Sequence, residues 1–285
     1  MKLVTWNIQW GRGVDGRVDL DRIIDHARRF TDFDVLCLQE VSAGFADLAG
    51  NDDSDQFAGF ASRLPEFMPV AGIATDLPDG MGMGKRRRFG NMILSRYPVR
   101  QTFAHLLPWP PQAGVKSMQR VALEATLETP LGPLRVTTTH LEYYSLQQRR
   151  AQVERLRLLH HEAWMHSQNQ LVGTPSDGPF HVPQRGGPAI LTGDFNFLPD
   201  SSDKALLTAN IDGETPAYRD AWEVLHPAAS RPPTVGLYDK EQWPQAPFTF
   251  DYIFVSSDLA PRVREVRADP QSDASDHQPM MIDIA

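Results

Sequence analysis

Apolar and polar positions along the chain change period several times, and each change marks an element. Leu3 to Ile8 reads as a buried strand. From Leu20 the spacing becomes helical, with Leu20, Ile23, Ile24, Ala27 and Phe30 on one face and Asp19 placed before them as an N-cap. Val35–Leu38 is a second buried strand, and Phe57, Phe60, Ala61 and Leu64 outline a short helix. Strand patterns then dominate, at 67–73, 91–95, 101–107, 121–127 and 134–140. Thr129-Pro130-Leu131-Gly132-Pro133 supplies a hairpin connection between the last two. A long helix is predicted from Ser145 to Ser167, its apolar face made of Leu146, Val153, Leu156, Leu159 and Ala163. The Gly- and Pro-rich stretch 173–188 reads as a surface loop. Strands at 189–192, 248–255, 263–268 and 280–284, with a helix at 203–209, complete the pattern.

No internal repeat or low-complexity linker divides these elements, so the 285 residues are expected to form one α/β domain, 1–285. Periodicity alone does not order the strands. No apolar run approaches the roughly 20 residues that cross a bilayer, and the N-terminus lacks the apolar stretch of a secretory signal. A cytoplasmic location without stable membrane insertion is therefore expected, while oligomeric state has no signature. Cys37 is the only cysteine, which excludes an intrachain disulfide, and its apolar flanks assign it to the core. With 28 Lys and Arg against 36 Asp and Glu the net charge is −8, which argues against a broad basic surface for duplex DNA but leaves room for a local cationic pocket.

The chemistry collects at strand ends. Asn7 closes the first strand, Gln39-Glu40 follow the second, and His140 ends another. Asp194 and Asn196 follow the 189–192 strand in Gly193-Asp194-Phe195-Asn196, Asp251 lies within Phe248–Phe254, and Ser275-Asp276-His277 precede the last strand. Taken singly, each has an ordinary reading: turn residues for the asparagines, surface for Glu40, satisfied structural groups for the histidines. Asp251 stands apart, because a carboxylate among Phe, Tyr and Ile is costly to bury without a partner. Together these groups contain what hydrolysis at phosphorus needs. Carboxylates can hold a hard divalent ion, a histidine oriented by a carboxylate can handle a proton, and amides can bond phosphoryl oxygens.

Thr5-Trp6-Asn7, Leu38-Gln39-Glu40, Thr139-His140-Leu141, Gly193-Asp194-Phe195-Asn196, Asp251-Tyr252-Ile253 and Ser275-Asp276-His277 occur in the order found in the endonuclease/exonuclease/phosphatase superfamily, which the chain resembles over almost its whole length. Gly90-Asn91-Met92-Ile93-Leu94-Ser95-Arg96 also resembles the strand that commonly follows the second motif. The resemblance implies a four-layer α/β (α+β) sandwich of two packed mixed sheets flanked by helices, like deoxyribonuclease I. It implies Mg²⁺, with Mn²⁺ as a substitute, held by Glu40 with Asn7 beside it and Asp276 close by. It further implies His277 oriented by Asp251, Asp194 orienting or deprotonating the attacking water, Asn196 bonding the phosphate and His140 aiding the phosphate or leaving oxygen. The base is left between Asp194 and the His277–Asp251 pair. Arg120 is a weaker candidate for phosphate contact, balanced against an ordinary strand arginine.

The implied activity is a metal-dependent phosphoric ester hydrolase, with phosphodiesters favoured and DNA or RNA cleavage as the alternative; a catalytically silent binding protein of the same fold is the least favoured reading. The substrate is a small-molecule ester, a lipid head group or a nucleic acid. Thr249 stands where exonuclease III-like nucleases carry Arg, and the Trp-containing motif of inositol phosphatases is absent. Lys85-Arg86-Arg87-Arg88 reads either as an electropositive wall or as a solvated loop, made mobile by Met81, Met83 and nearby glycines. The stretch 168–187, Trp109-Pro110-Pro111 and Trp243-Pro244 are candidates for a pocket rim, with loop packing favoured.

Overall fold

The computed structural model describes residues 1–79, 84–169 and 175–285, so Met81 and Met83 lie outside the described residues, as does part of the 168–187 stretch. The strands are β1 (Lys2–Asn7), β2 (Val35–Ala43), β3 (Met68–Pro78), β4 (Arg86–Ser95), β5 (Val99–Leu106), β6 (Val121–Thr129), β7 (Gly132–His140), β8 (Ala189–Asp194), β9 (Tyr218–Asp220), β10 (Asp251–Ser256), β11 (Val263–Ala268) and β12 (Met280–Ile284). The α-helices are α1 (Leu20–Phe30), α2 (Gln56–Arg63), α3 (Leu146–Gln168), α4 (Ser202–Thr208) and α5 (Ala221–Leu225). They make two six-stranded mixed sheets, ordered β11-β12-β1-β2-β4-β3 and β5-β6-β7-β8-β10-β9.

Alternation along each strand builds three apolar layers, because successive side chains point to opposite faces. Leu3, Val35, Cys37, Leu134, Val136, Ile190, Ile253 and Val255 fill the space between the sheets. The alternate residues Val4, Trp6, Leu36 and Leu38 pack under α1 and α2 through Ile23, Ala27 and Phe60. On the far side, Leu191, Tyr252 and Phe254 meet Val153, Leu156 and Leu159 of α3. Helix, sheet, sheet and helix thus form a four-layer sandwich. Cys37 is fully buried, and burial pushes its thiol far above its ordinary value, as fits a core residue.

Capping at the helix starts follows the local sequence. Asp19 accepts from the Arg22 amide at 3.0 Å, and Ser145 from that of Gln148 at 3.1 Å. Leu146, assigned above to the apolar face of α3, is 70% exposed instead. Its place is taken by Gln148 and Gln152, which turn inward to bond the carbonyls of Pro110 and Pro108. Phe248–Phe250 precede β10 rather than forming part of it, while β9 and α5 are short elements that periodicity does not predict.

The basic run differs most from its two readings. Arg86–Arg88 open β4, paired with Asp76–Pro78 of β3. Lys85 meets Asp53 at 3.2 Å, Arg86 meets Asp76 at 2.7 Å, Arg88 meets Asp55 at 2.5 Å, and Arg87 pairs with Asp47. The run is partly strand, and each charge is answered by a carboxylate. No helix among the described residues is long and apolar enough to cross a membrane.

Candidate active site

The inter-sheet layer changes from apolar to polar at one end. On the inward face β1 continues from Leu3 to Thr5 and Asn7, β7 from Val136 to Thr138 and His140, and β8 from Ile190 to Thr192 and Asp194. The register sets Asn7 against Gln39, His140 against Asp194, and Asp194 against Asp251 of the antiparallel β10. Gln39 forms a floor, donating from Nε2 to Thr5 Oγ1 at 3.1 Å and to Thr138 Oγ1 at 2.8 Å across the two sheets.

Two irregularities aim side chains into this end. The pairing of β2 with β4 shifts between Leu38 and Val41, and Glu40 within it adopts φ 61°. Asn196, just beyond β8, adopts φ 53°, with its amide N–H on Asp194 Oδ1 at 2.9 Å and its Nδ2 on the Leu141 carbonyl at 2.9 Å. The segment before β12 is held from behind. Trp6 Nε1 donates to the His277 carbonyl at 2.9 Å, and Ser275 Oγ to the Asn7 carbonyl at 2.8 Å.

Asp194 Oδ2 is the hub of the cluster. It accepts from Asn7 Nδ2 at 3.0 Å and lies 3.5 Å from His140 Nε2 and 3.7 Å from His277 Nε2. His277 Nδ1 donates to Asp251 Oδ2 at 2.8 Å, while Asp251 Oδ1, also buried, has no partner among the described residues. Asn7 Nδ2 also reaches Glu40 Oε1 at 3.1 Å, so its amide bridges two carboxylates. His140 Nδ1 lies 3.7 Å from the same Glu40 oxygen. Asp276 Oδ2 accepts from Gln242 Nε2 and Trp243 Nε1, each at 3.0 Å. Arg120 is buried, with Nε 3.4 Å from Glu142 Oε2.

Burial and crowding shift the titrating groups. The Asp194 carboxyl is pushed up to about 7 by burial, and Asp251 adds to this against the opposing pull of His277. Burial also raises Glu40, and the charge of Asp276 raises it further. For His277 burial opposes protonation, but Asp251, Asp276 and Asp194 together hold it well above its ordinary value. His140 is held well below, by burial and then by the charges of Arg120 and His277. The two imidazoles are therefore unlike: one favours the cation, the other the neutral ring.

The structure brings together all eight principal candidates named from the sequence, with Arg120 at their edge. Among the described residues, Asp194, Asp251 and His277 are the one trio of Asp, Glu, His or Cys with potential ligand atoms within 4.8 Å of one another. In that trio His277 Nδ1 is already engaged by Asp251. The carboxylates of Glu40 and Asp276 offer an all-oxygen alternative; burial raises Glu40 most, and the further rise due to the charge of Asp276 is a repulsion that a divalent cation would relieve. Sequence reading missed Gln242, which ties Asp276 to Gln9 (Gln9 Nε2 to Gln242 Oε1, 2.8 Å), and Tyr143, whose ring meets Trp243 and Phe250. Trp243, a candidate for the pocket rim or, as favoured, for loop packing, donates its indole N–H to Asp276. Trp109 is 48% exposed and bonds Ser117 at 2.9 Å in a loop fastened to α3.

The sequence profile of the Endonuclease/Exonuclease/phosphatase family matches residues 4–277. A search of the curated proteins by sequence finds no match. Among solved structures, an endonuclease/exonuclease/phosphatase from Beutenbergia cavernae is similar with a TM-score of 0.66 at 24% identity, over 99% of this chain and 70% of that one. A mannosyl-6-phosphatase from Bacteroides thetaiotaomicron gives 0.65 at 15% identity, over 100% and 99%. The 3′ phosphatase NExo from Neisseria, bound to a product DNA hairpin, gives 0.62 at 18%, over 100% and 99%. At these identities the likeness concerns the fold, and it agrees with the two-sheet sandwich.

Proposed function

The chain belongs to the endonuclease/exonuclease/phosphatase family and is an enzyme of the phosphoric ester hydrolase type, and on that premise we propose that it hydrolyses phosphodiesters with Mg²⁺, for which Mn²⁺ can substitute. The observation that carries this reading is the convergence of Glu40, Asp194, Asp251 and Asp276 with two oppositely biased histidines at one end of the inter-sheet layer. Glu40 and Asp276 would hold the ion, with Asn7 fixing Glu40 in place. When bound, the ion neutralises phosphoryl oxygens and the charge that develops on them.

The remaining work falls to the side chains. Asp194, with a carboxyl value near 7 and its Oδ2 between the two imidazoles, takes the proton of the attacking water. His277, kept cationic by Asp251, donates through Nε2 to a phosphoryl oxygen. His140, kept neutral, bonds the phosphate or the departing oxygen without adding charge. Asn196 holds the Asp194 carboxylate through its backbone N–H, and the second N–H of its Nδ2, the first being bonded to the Leu141 carbonyl, would serve the phosphate. Arg120, anchored on Glu142, adds a cation at the edge of the cluster.

The pairing of Lys85–Arg88 with carboxylates removes the basic wall that would have guided a duplex, and with a net charge of −8 this favours a smaller or single-stranded ester. A panel of bis-p-nitrophenyl phosphate, sugar phosphates, glycerophosphodiesters, single-stranded oligonucleotides and plasmid, assayed with Mg²⁺, tests the proposal. At least one ester should be cleaved, and Asp194→Asn and His277→Ala should each lower the rate by at least ~100-fold. Full activity in either variant contradicts the assignment, and plasmid cleavage alone would favour a nuclease.

A further inference from the structure

Beyond the carboxylates and imidazoles, the rim of the cluster carries aromatic rings that the hydrolytic roles leave unused. Tyr143 lies three residues after His140, Phe250 directly precedes Asp251, and Trp243 Nε1 donates to Asp276 Oδ2 at 3.0 Å. Two segments that hold candidate catalytic groups each add a ring, and the loop of Trp243, bonded to a third such segment, adds another. The rings meet edge to face, with Tyr143 and Trp243 centred 6.1 Å apart at 80°, and Tyr143 and Phe250 6.1 Å apart at 68°. Trp243 also packs on Phe248 at 5.4 Å and 72°. The series opens outward: Phe250 is buried, Trp243 half-buried and Tyr143 41% exposed. Rings serving only as core filling would be covered, as Tyr252 and Phe254 are on the other face of β10.

The Trp243 ring is fixed from two sides. Its N–H is held by Asp276, and its ring is packed at steep angles by Phe248 and Tyr143. The neighbouring Gln242 ties the same loop to Asp276 and Gln9. A ring ordered before the ligand arrives loses little entropy on stacking, and a planar ligand ring gains a contact that a saturated sugar or polyol cannot make. Resting on the hydrolase reading of the site, we infer that Tyr143 and Trp243 form a stacking wall that selects phosphate esters carrying a planar ring, a nucleobase or an aryl group, close to the phosphorus.

The test is calorimetric binding to the Mg²⁺-loaded protein of two matched pairs of non-hydrolysable phosphonates. One pair is benzylphosphonate and cyclohexylmethylphosphonate; the other is the 5′-methylenephosphonates of thymidine and of abasic dideoxyribose. The planar member of at least one pair should bind about tenfold more tightly, as base–aromatic stacking allows. Tyr143→Leu should bring that ratio to within about twofold, while Tyr143→Phe keeps it. Trp243→Leu, checked for folding by its melting curve, should act like Tyr143→Leu. A preference in the thymidine pair alone assigns a nucleobase, and one in both pairs assigns aromatic esters generally. Ratios near one in the unmodified protein, no measurable binding of either pair, or a preference undiminished in both leucine variants overturns the inference. Because no turnover enters the measurement, failure of the hydrolase reading shows itself separately, as absent or metal-independent cleavage.

Discussion

Replacing Asp251 with Asn should separate catalysis from stability. The carboxylate is 1% exposed, accepts His277 Nδ1 at 2.8 Å and leaves its second oxygen unpartnered. It also faces Asp194 across the β8–β10 register, with potential ligand atoms no more than 4.8 Å apart. At that separation two like charges repel by about 3 kcal/mol at an effective dielectric constant of about 20. The attraction between Asp251 and a cationic His277 at 2.8 Å is larger, about 6 kcal/mol by the same formula, but removing the Asp251 charge also removes the cost of burying it, so the net change in stability stays small. Asn keeps the shape and can still accept from Nδ1. What disappears is the charge that holds His277 protonated, together with the ~1–2 kcal/mol by which a charged hydrogen bond exceeds a neutral one. Loss of the imidazolium adds to this, for a fall of at least ~100-fold in kcat/KM. The assay is paired: steady-state hydrolysis with Mg²⁺, and thermal melting followed by circular dichroism in chelator. Activity within about threefold of the unmodified protein would refute the role of Asp251. A melting point lowered by more than about 10 °C would show instead that its function is structural.

Two further substitutions probe the scaffold. Gly193 adopts φ 134°, and a Cβ there would lie 1.9 Å from the Thr139 carbonyl oxygen, so Gly193→Ala should disrupt the β7–β8 register beside Asp194 and abolish both soluble yield and activity. Gly132→Ala, at φ 90° with nothing within 4 Å, should cost only about 1 kcal/mol of backbone strain, and equal losses in the two variants would contradict the steric argument. His160, on the buried face of α3, is pushed down to about 3 by burial and by Arg135, with Nδ1 2.6 Å from the guanidinium and Nε2 2.8 Å from the Pro216 carbonyl. Its folded value lies below the unfolded one, so the folded state binds fewer protons, and stability present near neutral pH is lost as pH falls from about 6.5 towards 3. Urea titrations of His160→Gln should show a flatter dependence across that window, and an unchanged slope would contradict the assignment.

How far the sequence reached depended on whether a signal was local. Strand alternation in Leu3–Asn7 and Leu134–His140 is local, and it also explains why Asn7 and His140 share the inward face with Leu3 and Val136. The α1 and α3 starts were legible because Asp19 and Ser145 cap them within three residues. Asp251 stood out through the cost of burying it, but its partner is 26 residues away and only the register reveals it. Lys85–Arg88 was misleading for the same reason, since Asp47, Asp53, Asp55 and Asp76 reach it from other segments. Tyr143 and Gln242 lie in loops, where no period marks which side chains turn toward the site. β9, three residues long, is too short for alternation to register.

The proposed metal dependence has a divalent cation beside Glu40 that lets Asp194 and His277 hydrolyse a phosphate ester. Its most direct test is phosphodiester turnover measured against Mg²⁺ concentration after chelation, in the unmodified protein, Glu40→Gln and Asp251→Asn. Turnover should vanish without metal and return with Mg²⁺. In Glu40→Gln the half-saturating Mg²⁺ should rise at least ~10-fold, whereas Asp251→Asn should lower the plateau with little shift in the midpoint. Turnover persisting in the chelated protein, or an unshifted Mg²⁺ curve in Glu40→Gln, would contradict the account.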